Sequence, residues 1–260
     1  MEILEYNIGT KARAFSTKRG EGSGNYGGFN ITHYCGDSAG HIAECRRELC
    51  SLLGIEDSRL ILPRQTHSCN IHCIDKDFFA FTPEEQTLAL EEVDAVITNI
   101  TNCCIGVSTA DCIPVLLYDP CHKVIAAIHA GWRGTVDQIT KRCIAMMTET
   151  YGCAPNEIQA VIAPGISLEA FEVGDEVYEA FAEKDFPMQD IAARNPTADG
   201  GCQWHINLWV ANRLQLLECG LRKENIQVAG VCTYSNHGEF FSARRLGIRS
   251  GRIFNGIMLL

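Results

Sequence analysis

Short strand-like runs of apolar residues dominate this chain, and several follow one another with no helix between them. Runs of this length, bounded by turn residues, are typical of β-strands. They fall at 60–62, 70–74, 95–98, 104–108, 113–118, 124–128, 160–162 and 227–231. Neighbouring strands without crossover helices exclude a simple doubly wound parallel sheet. The pattern therefore predicts an α+β fold, with mixed or antiparallel β-sheets covered by helices.

Three stretches carry apolar residues at helical spacing, and each is followed by a glycine. Asp37 or Ser38 is expected to cap the first helix, Thr135 the second and Asn207 the third, because these side chains accept hydrogen bonds from free amides at a helix start. Glycine ends helices readily because it adopts the left-handed conformation. The predicted helices cover residues 39–53, 135–151 and 208–219.

Cys112 and His129 lie on opposite arms of a predicted β-hairpin. Its turn is Asp119-Pro120-Cys121-His122, with aspartate and proline at their favoured positions. If Asp119 faces His122, Cys112 faces His129 on the same side of the sheet, with Cβ atoms about 4.5–5.5 Å apart. That separation suits two ligands of one metal ion, or a thiol and its general base. A single bulge would change this register.

Composition narrows the class of protein. The chain has 260 residues, of which 46% are apolar, and a net charge of -10. The negative charge disfavours nucleic acid as a partner, because the phosphate backbone is repelled. No apolar run approaches the roughly 20 residues of a membrane span, and the start of the chain, residues 1–5, carries acids where a signal peptide is basic. We therefore expect a soluble, cytoplasmic protein with no membrane partner, and the sequence indicates no protein partner.

The 14 cysteines are spread along the chain, and only Cys103 and Cys104 are adjacent. With no Cys-x2-Cys pair, the sequence offers neither a zinc ribbon nor a disulfide framework. Most of these thiols are expected to be small core residues. Cys112 is the exception that the hairpin suggests.

Two basic segments suggest anion binding. Four arginines fall within nine residues near the C-terminus, and guanidinium groups match phosphate oxygens, although a solvated strand end would show the same run. They are Arg244, Arg245, Arg249 and Arg252. Arg133 follows Gly131-Trp132 at a strand-to-helix junction, where glycine admits a ligand and the helix start offers free amides. A tight turn with a buried tryptophan is the alternative interpretation.

These residues belong to blocks that resemble the YfiH, or laccase-domain, family. The matching blocks run in the family's order from Phe15-Ser16-Thr17-Lys18 to Gly251-Arg252. The most specific are Ala110-Asp111-Cys112-x-Pro114-Val115 and His129-Ala130-Gly131-Trp132-Arg133-Gly134. Further blocks are Gln65-x-His67, 94–98, 163–166, 171–174, 232–234 and 240–245.

The resemblance implies a single catalytic domain over residues 1–260, with its sheets in a sandwich flanked by helices, related to the catalytic domains of cytotoxic necrotizing factors. It implies Zn²⁺ held by His67, Cys112 and His129, with copper the less favoured ion. Two histidines and one thiolate leave a fourth position open, as catalytic zinc sites do.

The resemblance also implies a zinc-dependent purine nucleoside phosphorylase. Such an enzyme converts adenosine, inosine, guanosine and methylthioadenosine, with phosphate, to free base and ribose-1-phosphate, and relatives also deaminate adenosine. Asp111 is expected to carry a proton or to orient a ligand histidine. The expected contacts to substrate or phosphate are Arg133, Arg244, Arg245, Lys18, Asn30 and Glu172. Lys18 stands where the family usually has arginine, so the charge is kept but the bidentate fork is lost.

Three other functions compete with this one. A multicopper oxidase needs His-x-His pairs and about ten histidines, whereas this chain has eight histidines and no such pair, which disfavours a copper polyphenol oxidase. A cysteine hydrolase would use Cys112 as nucleophile and His129 as base. A metal-stabilised binding module would bind its ligand without turnover.

Overall fold

The computed structural model describes residues 1–196 and 200–260. The strands in this part of the chain are β1 (Ile3–Tyr6), β2 (Ala12–Thr17), β3 (Leu60–Ile61), β4 (Ile71–Ile74), β5 (Ala95–Thr98), β6 (Cys104–Thr109), β7 (Ile113–Asp119), β8 (Val124–Ala130), β9 (Gln159–Ile162), β10 (Glu172–Val173), β11 (Ala192–Pro196), β12 (Cys202–Ile206), β13 (Ile226–Val228) and β14 (Ile253–Leu259). The α-helices are α1 (Ala39–Leu53), α2 (Pro83–Ala89), α3 (Trp132–Val136), α4 (Ile139–Tyr151), α5 (Asp175–Ala182), α6 (Met188–Ile191), α7 (Leu208–Glu218) and α8 (Ala243–Leu246).

The strands form two large sheets and one small sheet. The five-stranded sheet has the order β1-β2-β14-β6-β3, the six-stranded sheet β13-β9-β7-β8-β5-β4, and the small sheet β10-β12-β11. Parallel pairs join β3 to β6, β4 to β5 and β13 to β9, and the other neighbours are antiparallel. The predicted α+β class with mixed sheets is confirmed.

The two large sheets pack face to face. Successive side chains of a strand point to opposite faces of its sheet, so neighbouring residues of β7 pack in different clusters. On β7, Leu116 packs in one buried cluster with Ile105 of β6 and Ile257 of β14. Its neighbour Val115 packs in a different cluster, which includes Ile144 of α4. The six-stranded sheet is therefore buried on both faces, which explains why its strands read as unbroken apolar runs.

Helix α1 covers the outer face of the five-stranded sheet, where Leu49 packs in one cluster with Phe15 of β2 and Phe254 of β14. Helices α4 and α7 cover the outer face of the six-stranded sheet. The order of layers is helix, sheet, sheet, helices. This is the sandwich flanked by helices that the resemblance implies.

The predicted helices are confirmed at both ends of the chain and wrong in the middle. Helix α1 begins after Ser38, whose hydroxyl accepts the amide of His41, and ends at Gly54. Asn207 caps α7 in the same way. The predicted helix from Thr135 is instead two helices, α3 and α4, because Gln138 between them has a φ of 61°, which breaks the helical path.

The predicted register of the β7–β8 hairpin is wrong by two residues. Asp119 pairs with Val124, and His129 pairs with Pro114. The turn is longer because the Asp119 carboxylate accepts the amides of Cys121 and His122, at 2.7 and 3.1 Å. A shift of two residues keeps a side chain on the same face of a sheet, so the expected meeting of Cys112 with His129 survives the error.

The strands β1, β2, β10, β11, β12 and β14 were missing from the sequence prediction. The predicted strands are all present, with ends that differ by at most three residues. None of the helices that the structure describes has the length and apolar character to cross a membrane.

The chain crosses between the two large sheets at one end of the sandwich. His67 lies in the connection from β3 to β4, and Cys112 lies in the connection from β6 to β7. His129 stands near the end of β8, and Asp94 immediately precedes β5. Segments that are distant in sequence therefore meet at this end.

Candidate metal centre

Two imidazoles converge on one thiol at this end of the sandwich. The Sγ atom of Cys112 lies 3.7 Å from Nε2 of His67. A ring nitrogen of His129 completes a group whose ligand atoms all lie within 4.8 Å of one another. Zinc bonds of about 2.0–2.3 Å in a tetrahedron place ligand atoms roughly 3.3–3.8 Å apart. The donor set of two imidazoles and a thiolate therefore fits zinc with small adjustments, and it does not suit magnesium or calcium.

Asp94 holds this group together, a role that the sequence did not reveal. Its carboxylate lies 2.6 Å from Nδ1 of the His129 ring, which leaves Nε2 of that ring for a metal ion. The same carboxylate accepts the amide of His67 at 3.0 Å and the amide of Ser68 at 2.8 Å. The Ser68 hydroxyl donates to it at 2.7 Å. One fully buried side chain thus orients one ligand and the backbone of another.

The charges of the group are mutually stabilised. Burial acts to raise the pKa of Cys112, but His129 and His67 outweigh burial and lower it to about 6. Burial acts to lower the pKa of His129, but Cys112 and Asp94 raise it to about 9. Burial also opposes ionisation of Asp94, yet hydrogen bonds from His129 and Ser68 keep its pKa below the ordinary value. Without metal, the geometry favours a thiolate beside an imidazolium.

The loop that carries His67 is fixed by Gln65. The Gln65 amide donates to the Ser108 carbonyl at 2.8 Å, and its oxygen accepts the Ser108 amide at 2.7 Å. This side chain therefore binds the edge of β6 much as another strand would. The Tyr34 hydroxyl also donates to it, at 3.0 Å. The fixed loop supports a φ of 64° at His67, in the sparsely populated left-handed region.

Gly131 provides the space between the ligands. A Cβ atom on this residue would lie 2.9 Å from Cδ2 of His67 and 3.1 Å from Sγ of Cys112. Any side chain at this position would displace both groups. The glycine at position 131 of this block is thus explained by steric constraints.

A cavity of about 460 Å³ opens over the three candidate ligands, within the roughly 300–1,000 Å³ that is usual for small-molecule sites. The residues that line it are Tyr34, Cys35, Gln65, His67, Ser108, Thr109, Ala110, Cys112, His129, Ala243, Ile248, Arg249 and Arg252. Among the candidate ligands that line the cavity, His129 is buried and His67 is exposed. Solvent therefore reaches the candidate ligands from the side of His67.

Two members of the C-terminal arginine cluster line this cavity, and they differ in their partners. The Arg252 guanidinium donates to the carbonyls of Ile248, at 2.9 Å, and Gly251, at 3.0 Å, and so braces its own loop. The Arg249 side chain is exposed and makes no hydrogen bond or ion pair with residues 1–196 or 200–260. Arg249 is therefore a cation available to an anionic ligand.

The six predicted contact residues do not line the cavity. Lys18 forms ion pairs with Glu239, at 2.8 Å, and Glu2, at 3.5 Å. The Asn30 side chain is buried and binds Asp37, with its oxygen accepting the amides of Thr32 and Arg252. These two side chains are thus engaged within the protein, and their contact with substrate stays a prediction.

The remaining candidates also have partners elsewhere. The Arg244 guanidinium donates to the carbonyl of Glu172, whose own side chain is exposed. Arg245 donates to the Tyr234 hydroxyl at 3.2 Å. The Arg133 guanidinium lies over the Trp132 ring, 4.2 Å from its centroid. Arg249 and Arg252 of the C-terminal arginine cluster therefore line the cavity, whereas Arg244 and Arg245 do not.

Asp111 does not orient a ligand histidine, which corrects one of its two predicted roles. Its carboxylate accepts the Thr233 hydroxyl at 2.7 Å and the backbone amide of Arg244 at 2.7 Å. Asp111 therefore fixes the start of α8 beside the cavity. Its φ of 98° is rare for a residue other than glycine and turns the chain into Cys112. The orienting role belongs to Asp94, and proton transfer by Asp111 stays a prediction.

A sequence model of the family described as multi-copper polyphenol oxidoreductase laccase matches residues 12–260. The chain belongs to this laccase family. The resemblance seen in the motifs is thereby confirmed.

Among solved structures, YlmD from Geobacillus stearothermophilus shares the fold with a TM-score of 0.87, 26% identity, and coverage of 98% of this chain and 94% of that chain. The YfiH protein of Bacillus licheniformis gives a TM-score of 0.86 at 27% identity, covering 96% and 93%.

Two curated relatives of this laccase-family chain carry nucleoside-related names. A protein of Bacteroides thetaiotaomicron called purine nucleoside phosphorylase is 44% identical over 236 residues, 91% of this chain and 86% of that protein. Adenosine deaminase RL5, from an unknown prokaryotic organism, is 45% identical over 246 residues, 94% of this chain and 92% of that protein. The kinship with cytotoxic necrotizing factor domains stays a prediction.

Proposed function

We propose that this chain is a zinc-dependent purine nucleoside phosphorylase that also deaminates adenosine in the same site. The names of both curated relatives support an enzyme that processes purine nucleosides. Adenosine, inosine, guanosine and methylthioadenosine are the proposed substrates, with phosphate as the second reactant. Copper is the less favoured metal, because this donor set matches zinc and lacks a weak axial methionine among the cavity residues.

One observation carries the proposal: two imidazoles, and not one, face the Cys112 thiol. A nucleophilic cysteine needs a single base, whereas a catalytic zinc ion needs three protein ligands and an open position. His67 is the extra imidazole. When bound, zinc would supply Lewis-acid chemistry to a purine or a water molecule at the open position.

The chain's own residues prepare this chemistry. Asp94 accepts the Nδ1 proton of His129 and fixes the tautomer of the ring. Gln65 and Gly131 keep the His67 loop and the Cys112 connection close together without a clash. The Arg249 guanidinium, which has no partner among the described residues, lines the cavity and is suited to hold phosphate against the ribose. Ile248 beside it offers an exposed apolar surface for the nucleoside.

The test is incubation of the purified protein with adenosine or inosine, with and without phosphate, and chromatographic analysis of bases and ribose-1-phosphate. Phosphate-dependent release of base is expected, and inosine is expected from adenosine. Both reactions should disappear in Cys112→Ala, together with about one zinc ion per chain. A protein that binds zinc at Cys112 but turns over no purine nucleoside would contradict the proposal.

A second candidate function has a specific observation in its favour. Asp94, His129 and Cys112 form a carboxylate–imidazole–thiol series like that of a cysteine hydrolase, and the pKa of Cys112 is lowered to about 6. Alkylation separates the two functions. A hydrolase keeps a reactive Cys112 in the purified enzyme, whereas a zinc enzyme exposes this thiol only after chelation.

A further inference from the structure

A second cluster of potential metal ligands lies at the opposite end of the β7–β8 hairpin. Asp119 ends β7, His122 lies in the hairpin turn, and Cys153 follows helix α4. Their ligand atoms all lie within 4.8 Å of one another. Strand β7 separates this cluster from Cys112 by roughly 20 Å, at about 3.3 Å per residue, so the two groups cannot share one ion.

Burial distinguishes this cluster from an ordinary acidic surface. The Asp119 side chain is 0% exposed, and Cys153 is 1% exposed. In the described residues, 1–196 and 200–260, no lysine or arginine pairs with Asp119, and its only ion-pair partner is the His122 ring at 3.0 Å. Burial opposes ionisation of Asp119, but hydrogen bonds from the His122 ring and from the amides of Cys121 and His122 keep its pKa below the ordinary value, so the group offers a negatively charged ligand atom.

The Cys153 thiol points into the same group. Its sulfur lies within 4.8 Å of an Asp119 carboxylate oxygen and of a His122 ring nitrogen. Burial and the Asp119 charge raise the pKa of this thiol to about 12, so in the absence of metal it stays protonated. A bound divalent ion would take the place of that proton, which leaves to solvent as the sulfur becomes a ligand.

We propose that Asp119, His122 and Cys153 form a second zinc site, which fastens the tip of the β7–β8 hairpin to the end of α4. Sulfur, nitrogen and carboxylate oxygen are the ligands of zinc, whereas magnesium and calcium prefer oxygen alone. Asp119 and His122 would separate by a few tenths of an ångström from their present 3.0 Å to meet tetrahedral geometry. The half-exposed edge of His122 leaves the fourth position to water.

The site is tested in a Cys112→Ala background, in which the candidate catalytic centre no longer competes for metal. The chain is loaded with Zn²⁺, dialysed, and assayed for zinc per chain. It is then loaded with Co²⁺ to detect thiolate-to-cobalt absorption. The expected result is about one ion per chain with a thiolate band. Adding Cys153→Ser or His122→Asn should abolish both signals.

Matched controls separate ligation from damage to the fold. Cys121→Ser changes an exposed thiol in the same turn that lies outside the three-residue group, and it should keep the metal and the absorption. His122→Asn changes a half-exposed ring and should fold even if the buried Cys153→Ser change destabilises the protein. Circular dichroism checks the folding of both variants. If folded Cys112→Ala protein holds neither ion, the cluster is only a hydrogen-bonded hairpin cap and the proposal is overturned. The result does not depend on any nucleoside activity.

Discussion

The Asp94 carboxylate accepts a hydrogen bond from the His129 ring across 2.6 Å, although 35 residues separate them in sequence. The same carboxylate accepts hydrogen bonds from the backbone amides of His67 and Ser68. The two candidate histidine ligands are therefore coupled through one buried side chain. Damage to Asp94 should act on both of them together.

Asp94→Asn should weaken zinc binding by about 10- to 100-fold, which is the usual effect of losing a carboxylate partner of a ligand histidine. The amide keeps the size of the side chain but loses the charge that favours the correct His129 tautomer. Competition with a chromogenic chelator measures the affinity. The thermal midpoint of zinc-free protein serves as the control for folding. Unchanged zinc affinity in a folded variant would show that Asp94 does not support the metal.

Gly131→Ala should lower both zinc affinity and kcat/KM by at least about 10-fold, since misplacement of reacting groups by a fraction of an ångström is costly. The new Cβ would approach Cδ2 of His67 to 2.9 Å. The matched control is Gly134→Ala, three residues on in α3, where a Cβ would meet no atom closer than 3.4 Å. Equal losses in the two variants would contradict the steric explanation.

Local sequence signals predicted the parts of the fold that local contacts determine. Helix α1 has a serine cap and a glycine end, and both act within four residues. The hairpin register escaped prediction because it depends on how the Asp119 carboxylate binds the turn amides. Strand β14 was not predicted because its residues do not alternate between apolar and polar. Gly256 stands opposite Gly106, and the Phe254 ring packs against both glycines.

The candidate site shows the same division. Cys112 and His129 could be paired from the sequence because Cys112 immediately precedes β7 and His129 lies in β8, the two strands of one hairpin. The roles of Asp94 and Gln65 depend on contacts between segments that are distant in sequence, so only their presence in the family blocks marked them. The arginine cluster was visible as charge, but its four members differ only in tertiary position, which places Arg249 at the cavity and Arg245 beside Tyr234.

Arg249→Ala should raise the KM for phosphate by about 10- to 100-fold, as expected for loss of a charged hydrogen-bonding partner. The deamination of adenosine needs no phosphate and should change much less. Arg245→Ala is the matched control, because it removes an exposed arginine from the same segment that does not line the cavity. A larger phosphate effect at Arg245 would move the phosphate site away from the cavity over the metal ligands.

The reactivity of Cys112 in zinc-free protein should follow an unusually low pKa. Because His129 and His67 lower the pKa of Cys112 to about 6, the thiolate fraction rises as pH rises through that value and is lost below it. The rate of iodoacetamide modification at this residue, followed by mass spectrometry, should reach half its plateau near pH 6 instead of the roughly 8.5 of a free cysteine. Cys112→Ala gives the background from other thiols, and zinc should protect Cys112 throughout. A midpoint near that of free cysteine would show that the two imidazoles do not act on the thiol.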